Sequence, residues 1–189
     1  HAAHSAGAAP GRTIAVIGDG AVGLCAVLAA SRLGAERVIL LSTHQDRSEL
    51  GAAFGATDVV AARGADAVAA VRELTDGVGV DGAAECVGTA GSWDTALDLV
   101  RPGGTVGWVG VPHEVKEGLP IWKMFGGNIS VRGGIAPARA YLPELLPEVL
   151  AGTLDPGPVF TATVTLDEIM DLFYALRSPY RKRAVFLTN

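Results

Sequence analysis

Three glycines near the start of the chain have the spacing of a loop that binds phosphate groups. The segment Gly18-Asp19-Gly20-Ala21-Val22-Gly23 has the pattern G-x-G-x-x-G, and it lies between an apolar run and a helix-forming stretch. Gly18 would permit a tight turn, Gly20 would let the backbone approach a pyrophosphate, and Gly23 would let the helix pack closely on the strand. Free N–H groups at the helix N-terminus would then bind the anion. The pattern predicts a dinucleotide site, and the alternative is a tight turn in another doubly wound protein.

The residues after the second apolar run indicate which dinucleotide this is. NAD-binding proteins usually place Asp or Glu about 20 residues after the glycine loop, where it holds the ribose hydroxyls. In this chain Ser42 stands there, and Ser42, Thr43 and His44 could donate hydrogen bonds to a 2′-phosphate. Arg47 could pair with the charge of that phosphate. The segment therefore favours NADP(H), whereas Asp46 could reach the ribose and keeps NAD(H) open. In the other interpretation Ser42 or Thr43 caps the next helix and Arg47 is a surface residue.

Alternating strands and helices must position these residues. Apolar runs typical of strands in a buried parallel sheet occur at residues 13–17, 37–41, 57–60, 80–87, 104–111 and 128–133. The helix-forming stretches between them are 21–33, 45–54, 65–75 and 92–100. The alternation predicts an α/β fold, a doubly wound parallel sheet of six strands with helices on both faces, which is the Rossmann fold.

This alternation changes near Ala136, which divides the chain into a predicted Rossmann domain of residues 1–136 and a C-terminal tail of residues 137–189. The tail is expected to form a helix at 139–151, a strand at 159–166, a helix at 167–176 and a strand at 184–187. Pro143 and Pro147 lie inside the first of these helices, where each removes a backbone donor.

Composition and charge exclude several classes of protein. The 189 residues carry a net charge of −5, so there is no electrostatic case for a protein that binds nucleic acid or an anionic membrane. The two cysteines, Cys25 and Cys86, exclude a disulfide scaffold and a Cys-rich zinc site. The four histidines have no metal-ligand spacing with these cysteines. Because the sequence has no run of about 18 apolar residues and no secretory signal, we expect a cytoplasmic location.

Several segments, taken in order, resemble one known family. They are "PGRTIAVIGDGAVGL", "LGAERVILLSTHQDR", "FGATDVV", "VDGAAECVGT", "LVRPGGTVGWVGVP" and "GGIAP", followed by "VLAGTLDP", "LDEIMDLFYALRS" and "KRAVFL". Their order and spacing resemble the medium-chain, zinc-type alcohol dehydrogenase family. The likeness extends from about Pro10 to the C-terminus and therefore covers the tail as well as the glycine loop.

The resemblance implies further residues that contact the cofactor. The loop Cys86-Val87-Gly88 would lie beside the nicotinamide ribose, and Val109-Gly110-Val111 would flank the nicotinamide ring. Backbone groups of Gly134-Ile135-Ala136 would hold the carboxamide, and Arg183 would reach the pyrophosphate. Each has a simpler explanation, since Cys86 could be a small buried residue, the valines could be core, and Arg183 could be a surface charge.

The resemblance also implies a second domain. Members of the zinc type bind a catalytic zinc through a Cys, a His and a Glu or Cys in an N-terminal domain, and these positions would precede His1. We therefore expect the coenzyme domain and tail of a longer enzyme, with zinc only in the missing domain and His1 and His4 in a frayed helix remnant. The full enzyme would transfer hydride between a nicotinamide and an alcohol or carbonyl substrate. This chain would supply no catalytic residue, and Asp19, with no predicted partner, would be a turn residue.

Other interpretations of the sequence remain open. A zinc-free quinone-type reductase of the same superfamily would share these segments, and a stand-alone nucleotide-binding module would share the glycine loop. A methyltransferase with a glycine loop normally has an acidic residue after the second strand, which Ser42 argues against. Family members commonly form homodimers by joining their sheets edge to edge, and the strand at 128–133 is the candidate edge.

Overall fold

A parallel sheet of six strands forms the centre of the molecule. The computed structural model describes residues 1–114, 118–168 and 184–188. The strands of this sheet are β1 (Thr13–Ile17), β2 (Arg37–Leu41), β3 (Asp58–Val60), β4 (Val80–Glu85), β5 (Val100–Trp108) and β6 (Ser130–Gly133). Their order is β3-β2-β1-β4-β5-β6, and every neighbouring pair is parallel. This order confirms the predicted Rossmann fold.

Helices cover both faces of the sheet, as the sequence predicts. They are α1 (Ala2–Ala6), α2 (Ala21–Arg32), α3 (Gln45–Ala53), α4 (Gly64–Leu74), α5 (Ala90–Leu99), α6 (Ile121–Gly126) and α7 (Ala138–Leu150). In β1, Ile14 and Val16 pack with α1 and α2 on one face, whereas Ala15 and Ile17 pack with α4 and α5 on the other. Because side chains alternate along a strand, a continuous apolar run supplies both halves of the core.

The N-terminal helix α1 is packed into the core, so the expectation of a frayed remnant is wrong. Ala2, Ala3 and Ala6 are buried in the same cluster as the core residues of α2. Two glycines of the sheet make room for the helix, because a Cβ at Gly82 of β4 or at Gly107 of β5 would collide with its backbone. This close contact requires glycine at both strand positions.

Four elements, β4, β5, β6 and α5, have a boundary that lies two or more residues from the prediction. Strand β6 begins at Ser130 rather than at residue 128. Strand β4 ends at Glu85 rather than at residue 87, and β5 runs from Val100 to Trp108 rather than over 104–111. The earlier start of β5 is possible because its pairing with β4 has an irregularity between Val80 and Gly82, which accommodates extra residues on β5. Helix α5 begins at Ala90 because Thr89 caps it, with reciprocal hydrogen bonds between Thr89 and Ser92.

The tail adds a helix and a second, smaller sheet. Helix α7 is continuous through Pro143 and Pro147, and the Arg32 guanidinium of α2 pairs with Glu144 at 2.8 Å and with Glu148. A short 3-10 helix (Gly157–Val159) leads into β7 (Phe160–Thr165), which pairs in parallel with β8 (Ala184–Thr188). The predicted helix at 167–176 lies outside the described residues from residue 169 onward. The domain boundary at residue 136 stays a prediction.

Candidate functional site

A cleft of about 690 Å³ opens at the carboxyl ends of the strands. It lies between β1 and β4, where the strand order of the sheet reverses direction. In open α/β sheets, ligands bind at this switch point because the loops on either side diverge. The glycine loop, the residues after β2 and β3, and the loop after β4 line the cleft together, including Gly18, Asp19, Gly20, Thr43, His44, Arg47, Arg63, Cys86 and Val87.

The glycine loop has the geometry that each of its glycines was predicted to serve. Gly18 has a φ of 105°, a backbone conformation that L side chains rarely adopt. A Cβ at Gly23 would collide with the carbonyl oxygen of Gly18, so the first turn of α2 packs directly on the loop. By contrast, a Cβ at Gly20 would have no atom within 4 Å. The space above Gly20 is therefore open to a ligand, at the N-cap of α2.

Asp19 is bound by three side chains, which corrects the expectation that it has no partner. Its Oδ2 accepts a hydrogen bond from the Ser42 hydroxyl at 2.9 Å and lies 2.7 Å from His44 Nδ1. Its Oδ1 accepts from Arg47 Nη1 at 3.1 Å. Burial alone would raise the pKa of Asp19, but the hydrogen bonds from His44, Ser42 and Arg47 outweigh it and lower that pKa below its ordinary value. The carboxylate thus joins the glycine loop to the segment after β2.

Ser42 occupies the predicted acidic position but is 2 % exposed. Its hydroxyl is directed to Asp19, and Ser48 donates to it at 2.9 Å. Thr43 and His44 are exposed, and both line the cleft together with Arg47. Ser42 therefore holds the Asp19 carboxylate, while Thr43 and His44 face the cleft.

Arg63 is a second cation at this end of the cleft, which the sequence analysis missed. Its Nη2 donates to Thr43 Oγ1 at 2.8 Å, and it lines the cleft at the start of α4. The signal was available, because Arg63 follows β3 and the carboxyl ends of neighbouring parallel strands meet at one edge of the sheet. Arg47, which pairs with Asp19, and Arg63, which pairs with Thr43, both line the cleft.

The loops after β4 and β5 lie in contact at the other end of the cleft. The N–H of Cys86 donates to the carbonyl of Ile17 at 3.1 Å, and the N–H of His113 donates to the carbonyl of Gly88 at 3.2 Å. A Cβ at Gly88 would collide with the carbonyl oxygen of Val111, so the two loops approach as closely as backbones can. The structure thus brings Cys86-Val87-Gly88 and Val109-Gly110-Val111 together, although only Cys86 and Val87 of these residues line the cleft. That either loop contacts a cofactor stays a prediction.

Glu85 is another residue that the sequence analysis did not single out. It ends β4, is 0 % exposed, and its Oε1 accepts hydrogen bonds from the N–H groups of Val87 and Gly88, both at 2.8 Å. The signal was its position, since a carboxylic acid at the end of a buried strand needs hydrogen-bond donors. The adjoining Cys86 is half-buried, and burial followed by the charge of Glu85 raises the pKa of its thiol. Cys86 is therefore a neutral thiol at neutral pH.

The residues after β6 continue the same edge of the sheet. The N–H of Gly134 donates to the carbonyl of Trp108, the last residue of β5, at 2.7 Å. Ile135 is 98 % exposed, and Ala136 is exposed beside it. Arg183 lies outside the described residues. Among residues 1–114, 118–168 and 184–188, no group of three His, Cys, Asp or Glu side chains could hold a metal ion, and no helix could cross a membrane.

Comparison with known proteins identifies the family. The sequence matches the family described as zinc-binding dehydrogenase over residues 21–151. The chain belongs to the zinc-binding dehydrogenase family. It is 39 % identical over 158 residues to a Mycobacterium tuberculosis protein named as a probable zinc-binding alcohol dehydrogenase, covering 84 % of this chain and 40 % of that protein. The match confirms that the segment is the coenzyme-binding domain of medium-chain, zinc-type alcohol dehydrogenases.

Two further members of the zinc-binding dehydrogenase family extend the comparison. The NADP-dependent isopropanol dehydrogenase of Thermoanaerobacter brockii is 33 % identical over 166 residues, covering 85 % of this chain and 47 % of that enzyme. The solved alcohol dehydrogenase TADH of Thermus sp. ATN1 is 30 % identical and superposes with a TM-score of 0.86, covering 100 % of this chain and 55 % of that one. The chain therefore spans about half the length of the relatives it matches.

Proposed function

We propose that this chain binds a nicotinamide dinucleotide along the cleft, with the pyrophosphate at the N-terminus of α2. The observation that carries the proposal is the open position above Gly20, beside a loop whose other glycines are required by close packing. A dinucleotide fits this arrangement because backbone N–H groups at a helix N-terminus bind an anion and a glycine there admits it. When bound, the dinucleotide supplies hydride transfer at its nicotinamide ring.

In this proposal the two ends of the cleft have separate roles. Thr43, His44, Arg47 and Arg63 contact the adenosine ribose and its substituent, because they surround the end of β2. The loops at 86–88 and 109–111 contact the nicotinamide nucleoside, because they lie at the end of β4 and β5. Backbone groups of residues 134–136 contact the carboxamide, and Arg183 contacts the pyrophosphate.

We also propose that NADP(H) binds more tightly than NAD(H). Two arginines, Arg47 and Arg63, and one carboxylate, that of Asp19, line this part of the cleft. A 2′-phosphate would use the charge of the arginines and accept from Thr43 and Arg63, whereas a bare hydroxyl would not. The NADP dependence in the name of the Thermoanaerobacter relative supports this preference.

The activity we propose for the longer enzyme is reversible oxidation of an alcohol to a carbonyl compound. The described residues present binding groups along the cleft, and no group of three His, Cys, Asp or Glu side chains among them could hold a metal ion. We therefore propose that this chain orients the dinucleotide and that the substrate and any zinc bind outside it. The chain alone is expected to bind the dinucleotide weakly and to turn over no alcohol.

We propose that a second copy of the chain pairs along β6. This strand is the outermost of its side of the sheet, and an unpaired strand edge offers N–H and C=O groups to another chain. Beside it, α6 exposes Ile121, Trp122 and Phe125, with Trp122 87 % exposed. Large exposed apolar side chains next to an open edge favour a homodimer with a continuous sheet.

Titration of the chain with NADPH and NADH, followed by the fluorescence of the bound nicotinamide, tests the binding proposal. We expect both to bind and NADPH to bind about tenfold tighter, which corresponds to about 1.4 kcal/mol for the phosphate contacts. Thr43→Asp should reverse the preference, because its carboxylate would bind Arg63 and repel a 2′-phosphate. Thr153→Asp makes the same change on the exposed tail and should leave the preference unchanged. Failure of both dinucleotides to bind would overturn the proposal.

A further inference from the structure

Glu85 bonds both of the loops that would face the nicotinamide. Its carboxyl oxygen Oε1 accepts the N–H groups of Val87 and Gly88, each at 2.8 Å, and so closes the loop after β4. Its main-chain carbonyl accepts the N–H groups of Val109 and Gly110, each at 3.0 Å, and so holds the end of β5. A single residue therefore sets the spacing of two segments that come from different strands.

The other carboxyl oxygen of Glu85 is buried and has no hydrogen-bond partner among the described residues. It lies against Gly110, where a Cβ would collide with it. An unpartnered buried oxygen is costly, so packing energy alone would favour an apolar side chain at this position. However, an apolar side chain could not accept hydrogen bonds from the N–H groups of Val87 and Gly88, and these groups would then be buried without a partner.

We infer that Glu85 is a positioning residue, which sets the geometry of the binding site for the nicotinamide nucleoside without touching the cofactor. It is 0 % exposed, so its effect must pass through the backbone of the two loops that it bonds. This inference rests on the proposed binding of a dinucleotide in the cleft. It goes further by assigning the geometry of the loop after β4, and the packing of Gly110 against it, to one buried carboxyl group.

The inference predicts an effect confined to one end of the cleft. The adenosine end is built by Asp19, Thr43 and Arg63, which follow β1, β2 and β3. Glu85 makes its hydrogen bonds to the loops after β4 and β5 instead. Removing its carboxyl oxygen should therefore weaken contacts to the nicotinamide nucleoside while leaving the adenosine contacts intact.

The test compares NADPH with adenosine 2′,5′-bisphosphate, which contains the adenosine half without the nicotinamide nucleoside. In Glu85→Met, which keeps the length but lacks the acceptor, NADPH should bind about tenfold more weakly, while adenosine 2′,5′-bisphosphate should change by about twofold at most. The fluorescence change of bound NADPH should shrink as well, because the ring is held less firmly. Glu85→Gln keeps an amide oxygen for the two N–H groups and should restore both signals.

Asp81 offers a matched control on the same strand. It lies at the other end of β4, where its carboxylate accepts the N–H of Thr13 at 2.9 Å. Asp81→Leu should lower the thermal stability but leave the binding of both ligands unchanged. If Glu85→Met does not fold, Glu85→Asp replaces it, since a side chain shorter by one methylene draws the carboxylate away from Val87 and Gly88.

The outcomes distinguish the role of Glu85 from the proposed dinucleotide binding on which it rests. If Glu85→Met weakens the binding of both ligands equally, or of neither, the positioning role is overturned. The proposed function still stands in that case, provided that the wild-type chain binds NADPH. Failure of Glu85→Gln to restore NADPH binding would also overturn it. If the wild-type chain binds neither ligand, the proposed function fails and the inference fails with it.

Discussion

Alanine substitutions at Gly20 and Gly23 should separate binding from packing within one loop. A Cβ at Gly20 meets nothing within 4 Å, and the backbone there has a φ of −76°, which alanine adopts freely. Gly20 is the N-cap of α2, where alanine is less favourable than glycine by no more than about 1 kcal/mol. We therefore expect Gly20→Ala to fold with nearly the wild-type stability and to lose dinucleotide binding by at least about tenfold, because its methyl group occupies the path of the pyrophosphate.

Gly23→Ala should instead destabilise the fold. Its Cβ would collide with the Gly18 carbonyl oxygen, and forcing an extra carbon into packed surroundings costs about 1–3 kcal/mol. The collision is with a backbone atom, which cannot rotate away, so the cost lies near the upper end of this range. Higher helix propensity returns up to about 1 kcal/mol, which leaves a net loss of about 2–3 kcal/mol. For a chain of this length that corresponds to a decrease in Tm of about 4–12 °C. Binding should also weaken, since α2 must move away from the loop.

Thermal unfolding followed by circular dichroism and NADPH titration give the two measurements. Gly126→Ala, at the end of α6 with no atom within 4 Å of the new Cβ, is the control and should neither lower the Tm nor weaken NADPH binding. If Gly20→Ala binds NADPH like the wild type, the pyrophosphate does not lie over this loop. If Gly23→Ala unfolds at the wild-type temperature, close packing against Gly18 is not the reason for glycine there.

The remaining predictions address charge, pH and assembly. Arg47→Gln and Arg63→Gln should each weaken NADPH binding by about tenfold and NADH binding far less, and equal losses in titrations would refute a phosphate site. Burial raises the pKa of Asp81, but hydrogen bonds from Thr13 and Arg101 outweigh burial and lower that pKa. The stability that these bonds contribute is present above about pH 4 and is lost as the pH falls below it. Asp81→Asn should therefore flatten the pH dependence of the free energy of unfolding, measured in urea. Trp122→Glu should convert a dimer to a monomer in analytical ultracentrifugation, and a wild-type monomer would refute the proposed pairing.

Local sequence patterns predict an element correctly where a single segment contains all the residues that define its bounds. Strand β1 was predicted with its observed bounds, because a run of β-branched and apolar residues ends directly at the turn glycine Gly18. Strand β5 was predicted to begin four residues late, because Pro102 and Gly103 near its start are typical of a turn. Its pairing with β4 overrides that local preference, since the irregular register near Val80 accommodates the extra residues.

The sequence by itself determined the Rossmann fold, the glycine loop and the segment after β2 that lines the cleft, because each is encoded by spacing within about 20 residues. Only the tertiary structure decided how those segments hold one another. The bonds of Asp19 to His44 and Arg47, and of Arg63 to Thr43, join residues that follow different strands. Glu85 bonds the ends of β4 and β5 in the same way. Side chains at the ends of neighbouring parallel strands meet only when the sheet assembles, and no pattern along the chain records which pairs will touch.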